Sequence, residues 1–282
     1  MIKYTQNDDG TIYVETYPVG PSVYLDIWMW RRLAEDDCLR EEFVSVDKDS
    51  QCCLMYSFIS FIELARLDDS YQIKIISEVM DILDFGFIEV NPSKVIRFED
   101  QHESSEPGVF KRRHPAADTD FLDYLARNAT SDNKLKISTI YDDLKKESVS
   151  RYSAMVTDLG SLTRSIEDAR NDINNFSGYR KEHKNKNVSR TAPPYTRDIF
   201  NILQYYLIVN KNMKLDPKEW MDIFNTIVPV AYMKYVLLDK RWTHFVRAEL
   251  PIKPPDLATV YNQNEMTQFL ESLKREQIPP QP

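Results

Sequence analysis

The stretch Tyr235-Val236-Leu237-Leu238-Asp239-Lys240-Arg241-Trp242 decides how this chain is built. An uninterrupted apolar run ends on a carboxylate, and two cations follow. A short run of this kind predicts a strand buried on both faces, as in a parallel sheet. In open α/β sheets, ligands bind beyond the carboxyl ends of such strands. Asp239 is therefore the place to look for chemistry, provided that other groups converge on it.

Upstream the same construction recurs. After the punctuation Gly20-Pro21-Ser22, Val23-Tyr24-Leu25-Asp26-Ile27-Trp28 is a second apolar strand carrying an Asp, and residues 30–43 alternate at helical spacing. A strand is expected over 52–57 and a helix over 58–67, where Glu63 interrupts an otherwise apolar face. A carboxylate there is costly if buried without a partner or a cation. A helix over 72–84 and a third strand at 87–90, stopped by Asn91-Pro92, complete the first half. Ahead of it, residues 1–18 predict a hairpin around Asn7-Asp8-Asp9-Gly10.

From about residue 99 the pattern turns polar and irregular, with a basic knot at Lys111-Arg112-Arg113-His114. Helices are expected at 120–128, 135–147 and 150–176. The last of these has Met155, Leu159, Leu162, Ile166 and Ile173 near heptad spacing, which suits packing on a partner helix. Residues 179–190 carry five Lys or Arg against one acid and predict a mobile loop. Regular pattern returns with a helix over 199–210. A second helix over 216–224 has Asp216 as N-cap and Pro217 at its first position. A separate segment, 228–232, leads into the opening strand. A strand at Thr259–Tyr261 and a helix at Met266–Lys274 close the chain. The expected organisation is a hairpin (1–19), a core in two parts (20–98 and 196–282), and a helical insertion or cap (99–195).

Composition removes several classes of function. At 282 residues, 42% hydrophobic and 12% aromatic, the chain is long and apolar enough for a packed domain. Six glycines, with no GxGxxG or GxxxxGK[ST] pattern, leave no usual phosphate loop. Cys38, Cys52 and Cys53 show no CxxC spacing, and the four histidines have no ligand pattern. The start of the sequence lacks signal architecture, and no run approaches the ~18 apolar residues of a membrane span. The expectation is a soluble, cytoplasmic protein that does not enter membranes. The net charge of −8 does not advertise nucleic-acid binding, although a cluster of catalytic carboxylates would itself contribute to it.

The order of acidic elements is strand–Asp26, helix with Glu63, helix with Asp222, strand–Asp239. Together with Ser57-Phe58-Ile59-Ser60-Phe61-Ile62-Glu63-Leu64 and Glu219-Trp220-Met221-Asp222, it resembles the PIN-domain nucleases, specifically the larger bacterial PIN-like proteins. Asp239 follows Asp222 by 17 positions, close to the usual separation of that family's third and fourth acidic motifs. The resemblance covers roughly residues 20–95 and 196–262. It implies an α/β fold of PIN-like, Rossmann-type three-layer architecture with a mostly parallel central sheet, extended here by the helical insertion. It also implies that Asp26, Asp222 and Asp239 ligate Mg²⁺ or Mn²⁺, with Glu63 ligating directly or through water. Lys234 stands where many members carry a further acid, and Glu219 is the candidate to replace it.

Phosphodiester hydrolysis gives a separate reason for such a cluster. It needs an activated water and neutralisation of phosphate charge, and hard divalent cations on carboxylate oxygens supply both. Lys240, Arg241 and Trp242 beside the site, with Arg112, Arg113, Lys184 and Lys186 in the basic segments, are the candidate nucleic-acid contacts. The expected activity is a metal-dependent endoribonuclease acting on RNA, of the kind found among toxins and defence effectors, with the insertion meeting a protein partner or a second copy. Two rivals are a catalytically inactive PIN-like scaffold that binds RNA or protein, and a metal-dependent DNA nuclease of the flap type.

Overall fold

The computed structural model describes residues 2–6, 12–16, 21–67, 69–101, 116–128 and 136–276. The hairpin turn at Asn7-Asp8-Asp9-Gly10 and the basic knot containing Arg112 and Arg113 lie outside the described residues. Strands β1 (Ile2–Gln6) and β2 (Ile12–Thr16) pair antiparallel, in the register Ile2 opposite Thr16, as the hairpin reading expects.

The core is a five-stranded sheet in which every pairing is parallel. Its strands are β3 (Ser22–Leu25), β4 (Cys53–Tyr56), β5 (Phe85–Phe87), β6 (Tyr235–Leu237) and β7 (Thr259–Tyr261), in the order β5-β4-β3-β6-β7. β4, β5 and β6 are buried throughout, which is why they carry runs such as Cys-Leu-Met-Tyr and Tyr-Val-Leu rather than alternating patterns. The third strand lies two residues earlier than expected: Ile88 makes only a bridge to Ala117.

Two helices, α1 (Ile27–Glu35) and α2 (Asp37–Ser50), replace the single one expected after β3; Asp36 caps the second. Next come α3 (Phe58–Ala65) and α4 (Ser70–Ile82), which flank β5's approach, and α5 (Pro92–Gln101) beyond it. The insertion contributes α6 (Thr119–Asn128), α7 (Ile137–Asn171) and α8 (Phe176–Asn185). The second half adds α9 (Thr196–Val209), α10 (Pro217–Tyr232), α11 (Lys240–His244), a π-helical turn at Phe245–Glu249, and α12 (Met266–Lys274). The strand order reverses between β5 and β6, and right-handed crossovers then place earlier and later connections on opposite faces. α10 packs on α5 and α9, while α12, which follows the last strand and is not a crossover, packs on α2. The architecture is α/β with helices on both sides of a parallel sheet.

The insertion differs from expectation in three respects. α7 is one continuous helix of 35 residues rather than two. The stretch expected as a loop from 179 is helical as far as Asn185, because α8 lies on α9 with Tyr179 beside Tyr205 and His183 beside Tyr206. Met155, Leu159 and Ile166 are buried and Leu162 is partly buried where α7 lies against α3, α4, α9 and α10, whereas Ile173, the last residue of the expected stripe, is exposed beyond the end of the helix. Arg151 secures that docking. It pairs with Asp118 at 2.8 Å and Glu89 at 3.4 Å, and its guanidinium lies between the rings of Phe58 and Phe121. Among the described residues no helix is long and apolar enough to cross a membrane.

Candidate active site

β3 and β6 are central neighbours, and the chain leaves them toward opposite edges of the sheet. The carboxyl ends of such a pair border the crevice where α/β proteins bind ligands. Asp26 directly follows β3, and Asp239 stands two residues beyond β6. Each also starts a helix. The Asp26 carboxylate accepts from the Ile27 N–H at 2.6 Å and caps α1; that of Asp239 accepts from the Trp242 N–H at 2.8 Å and caps α11. These bonds fix both acids at the sheet's edge.

α10 precedes β6 and runs back against it, so its first turns begin at the same edge. There Asp216 caps the helix through the Glu219 N–H, and Glu219 and Asp222 follow one turn apart. Glu63, buried on α3, approaches from the β4 side. Asp26 and Asp222 are each in electrostatic reach of Asp239 and of Glu63. Burial first, then the charge of Asp222, pushes Asp26 up to about 7. Asp222 also rises to about 7, through burial and then Asp239 and Glu219. Glu63 is raised well above the usual carboxylate range by burial and by Asp26 and Asp222, with Arg66 and Asn225 opposing. Glu219 is raised as well, chiefly by burial.

Arg241 sits among these acids. One guanidinium nitrogen lies 2.7 Å from Glu219, 3.7 Å from Asp222 and 3.9 Å from Asp239. The last two carboxylates are therefore no further apart than the sum of those distances. The donors are all carboxylate oxygens, which is the chemistry a hard divalent cation takes. Their present spacing is looser than a coordination sphere: among the described residues no group of three or more His, Cys, Asp or Glu side chains could hold a metal ion as it stands. Comparison with protein-family models, curated proteins and solved structures returns no match to this chain.

Several expected contacts fall elsewhere. Trp242 is 1% exposed and packs edge-on against Phe245, so it is a core residue rather than a stacking platform for a base. Lys186 is committed to Glu249 at 3.1 Å and to the Ala248 carbonyl at 3.0 Å. Lys184 is exposed on α8, while Lys240 and Lys218 are exposed beside the acids. Lys234 is not a position where another acid could have joined the site. Its N–H pairs with Ser22 at the opposite, amino-terminal edge of the sheet, and its ammonium is held by Glu276 at 2.7 Å.

A polar relay behind Glu63 escaped the sequence reading. Buried Tyr24 donates its O–H to Asn225 Oδ1 at 2.6 Å and lies 2.9 Å from Ser57 Oγ; Asn225 Nδ2 in turn donates to Glu63 at 3.4 Å. Ser57 and Ser60 form the capping box of α3. The signal was an Asn inside the otherwise apolar run of α10, a residue that must be satisfied when buried.

Proposed function

We propose that this chain is a divalent-cation-dependent phosphodiester hydrolase of PIN-like fold, acting on RNA. The observation that carries the proposal is the convergence of Asp26, Glu63, Asp222 and Asp239 beside the switch point, where burial and neighbouring carboxylates raise the pKa of Asp26, Glu63 and Asp222. Holding like charges together is costly, and sites that do so generally have a functional use for them. Asp26, Glu63, Asp222 and Asp239 would hold Mg²⁺ or Mn²⁺, with Glu219 beside them. The bound ion supplies water activation and charge neutralisation. The chain's own contributions are orientation and protonation control. The backbone bonds from Ile27 and Trp242 fix Asp26 and Asp239, and Asn225 aligns Glu63. The exposed cations Lys218, Lys240 and Arg241 would meet the phosphate backbone. RNA as the substrate, and a setting in toxicity or defence, come from the PIN-like resemblance.

The test compares RNA with single-stranded, duplex and flap DNA, each with Mg²⁺ or Mn²⁺. Cleavage of RNA that is lost in Asp26→Asn is the expected result. Cleavage confined to DNA would move the assignment to the flap-type reading. The inactive scaffold is the second reading, favoured by a cluster already paired with Arg241. It predicts RNA retention without cleavage under every metal condition, with Asp26→Asn behaving as wild type.

A further inference from the structure

A single cation already stands among three of the site's acids. Two of these, Glu219 and Asp222, belong to α10, and Asp239 caps the helix on which Arg241 rides. Only Glu219, at 2.7 Å, is at hydrogen-bond distance; Asp222 at 3.7 Å and Asp239 at 3.9 Å feel the charge without being gripped. Guanidinium keeps its proton at any ordinary pH, so this positive charge is permanent wherever the side chain goes. A divalent ion settling among the same oxygens would meet that charge at close range.

We propose that Arg241 is a displaceable counter-ion: it balances Glu219, Asp222 and Asp239 in the metal-free protein and must swing out to admit a divalent cation. The inference rests on reading the cluster as a cation site. The side chain is 41% exposed, and only its contact with Glu219 is at hydrogen-bond distance, so its departure breaks a single close contact to the acids. The guanidinium also lies 5.2 Å from the buried Trp242 ring, a second contact that its departure would give up. Once released, the guanidinium becomes available to a phosphate oxygen. Cation entry and phosphate grip are then coupled through one side chain, and the acids need not wait for metal to be charge-balanced.

The experiment is calorimetric titration of the full chain with Mn²⁺ alone at pH 8.5, where protons no longer compete for Asp26 and Asp222. Wild type, Arg241→Gln, Arg241→Lys and Asp26→Asn are compared. Arg241→Gln is expected to bind Mn²⁺ more tightly by on the order of tenfold, the range of a single site–site coupling. Arg241→Lys, which keeps the charge, falls between it and wild type, and Asp26→Asn loses binding. If wild type binds and Arg241→Gln binds no more tightly, the counter-ion role is overturned while the cation site stands. If neither binds, the cation site itself fails. A second measurement needs no variant: in a Mg²⁺ titration of wild type, the Arg241 Nε–H resonance should shift with saturation. An unmoved resonance during demonstrable binding overturns the proposal even if Arg241→Gln does not fold.

Discussion

Asp26 has two duties that pull against each other. As a helix cap it stabilises α1, and as a member of an acidic cluster it is repelled by Asp222 and Asp239. Asn caps nearly as well as Asp and carries no charge. Asp26→Asn should therefore raise stability at pH 8 in chelator by on the order of 1 kcal/mol, seen as a higher urea midpoint. Asp26→Ala gives up the cap as well, a loss of about 1 kcal/mol, and should come out near neutral. The contrast separates the two roles: Asp26→Asn no more stable than wild type would argue that Asp26 feels no repulsion, and Asp26→Ala equal to Asp26→Asn would argue that the cap contributes nothing. Asn225 poses the complementary question. In Asn225→Asp, Tyr24 keeps an acceptor, but a carboxylate is placed where an amide now donates to Glu63. The new acid's pKa is raised in the folded state, so the variant loses stability as pH climbs above about 4. Its melting temperature should fall further below wild type at pH 8 than at pH 5.

Local signals decide which elements could be foreseen. β7 and α12 match their expected limits, and the N-cap of α10 is where Asp216-Pro217 announces it. The far end of α10 was cut short because Pro229 lies inside it. A helix-interior proline costs about 3 kcal/mol, and the buried residues from Trp220 to Val230 outweigh that locally unfavourable choice. α5 was legible and overlooked: Asn91 accepts from the Ser93 N–H ahead of Pro92, an N-terminal signature read only as a strand stop. The helical state of α7 was legible but its continuity was not, since Ser148-Val149-Ser150 favours a break; α8 was not legible, since the basic run after Tyr179 reads as a loop and its packing on α9 is tertiary. The four acids could be found because each follows a strand or interrupts an apolar face. Their mutual arrangement, the Tyr24–Asn225 bond across 201 positions and the resting place of Arg241 depend on tertiary structure. One element invites a direct test. Gly160 is mid-helix in α7, and a Cβ there meets nothing within 4 Å. Gly160→Ala should stabilise the protein by about 0.5–1 kcal/mol in thermal or urea unfolding, because it removes backbone entropy without a clash.

At the scale of the whole molecule, the buried acids set an unusual dependence of stability on pH. Asp26, Asp222 and Asp47 are raised to about 7, in Asp47's case by burial and the charge of Asp84, and Glu63 is raised as well. An unfolded chain releases these protons near pH 4, so between about 4 and 7 the folded protein holds more protons and loses stability as pH rises. Other groups work oppositely. Glu265, held by Arg247, and Glu276, held by Lys234, have lowered pKa values and weaken the fold only when protonated, below the ordinary carboxylate range. His183, lowered by burial, opposes the trend over its upper part, a single group against several raised carboxylates that also include Asp118, Glu99 and Glu219. Stability should therefore peak near pH 4 and decline by about 2–4 kcal/mol toward pH 8, after allowance for the solvent that reaches Asp26 and Asp222. On the proposed reading, a divalent cation would offset that loss, because it would bind the ionised carboxylates of the folded state and stabilise it by mass action. Thermal unfolding in chelator and in millimolar Mn²⁺, from pH 5 to pH 8.5, should give curves that meet at pH 5 and separate above pH 7. The separation should widen in Arg241→Gln and vanish in Asp26→Asn. Curves that stay superimposed across the whole range would mean that these carboxylates answer only to the protein's own cations, Arg241, Lys218 and Arg66.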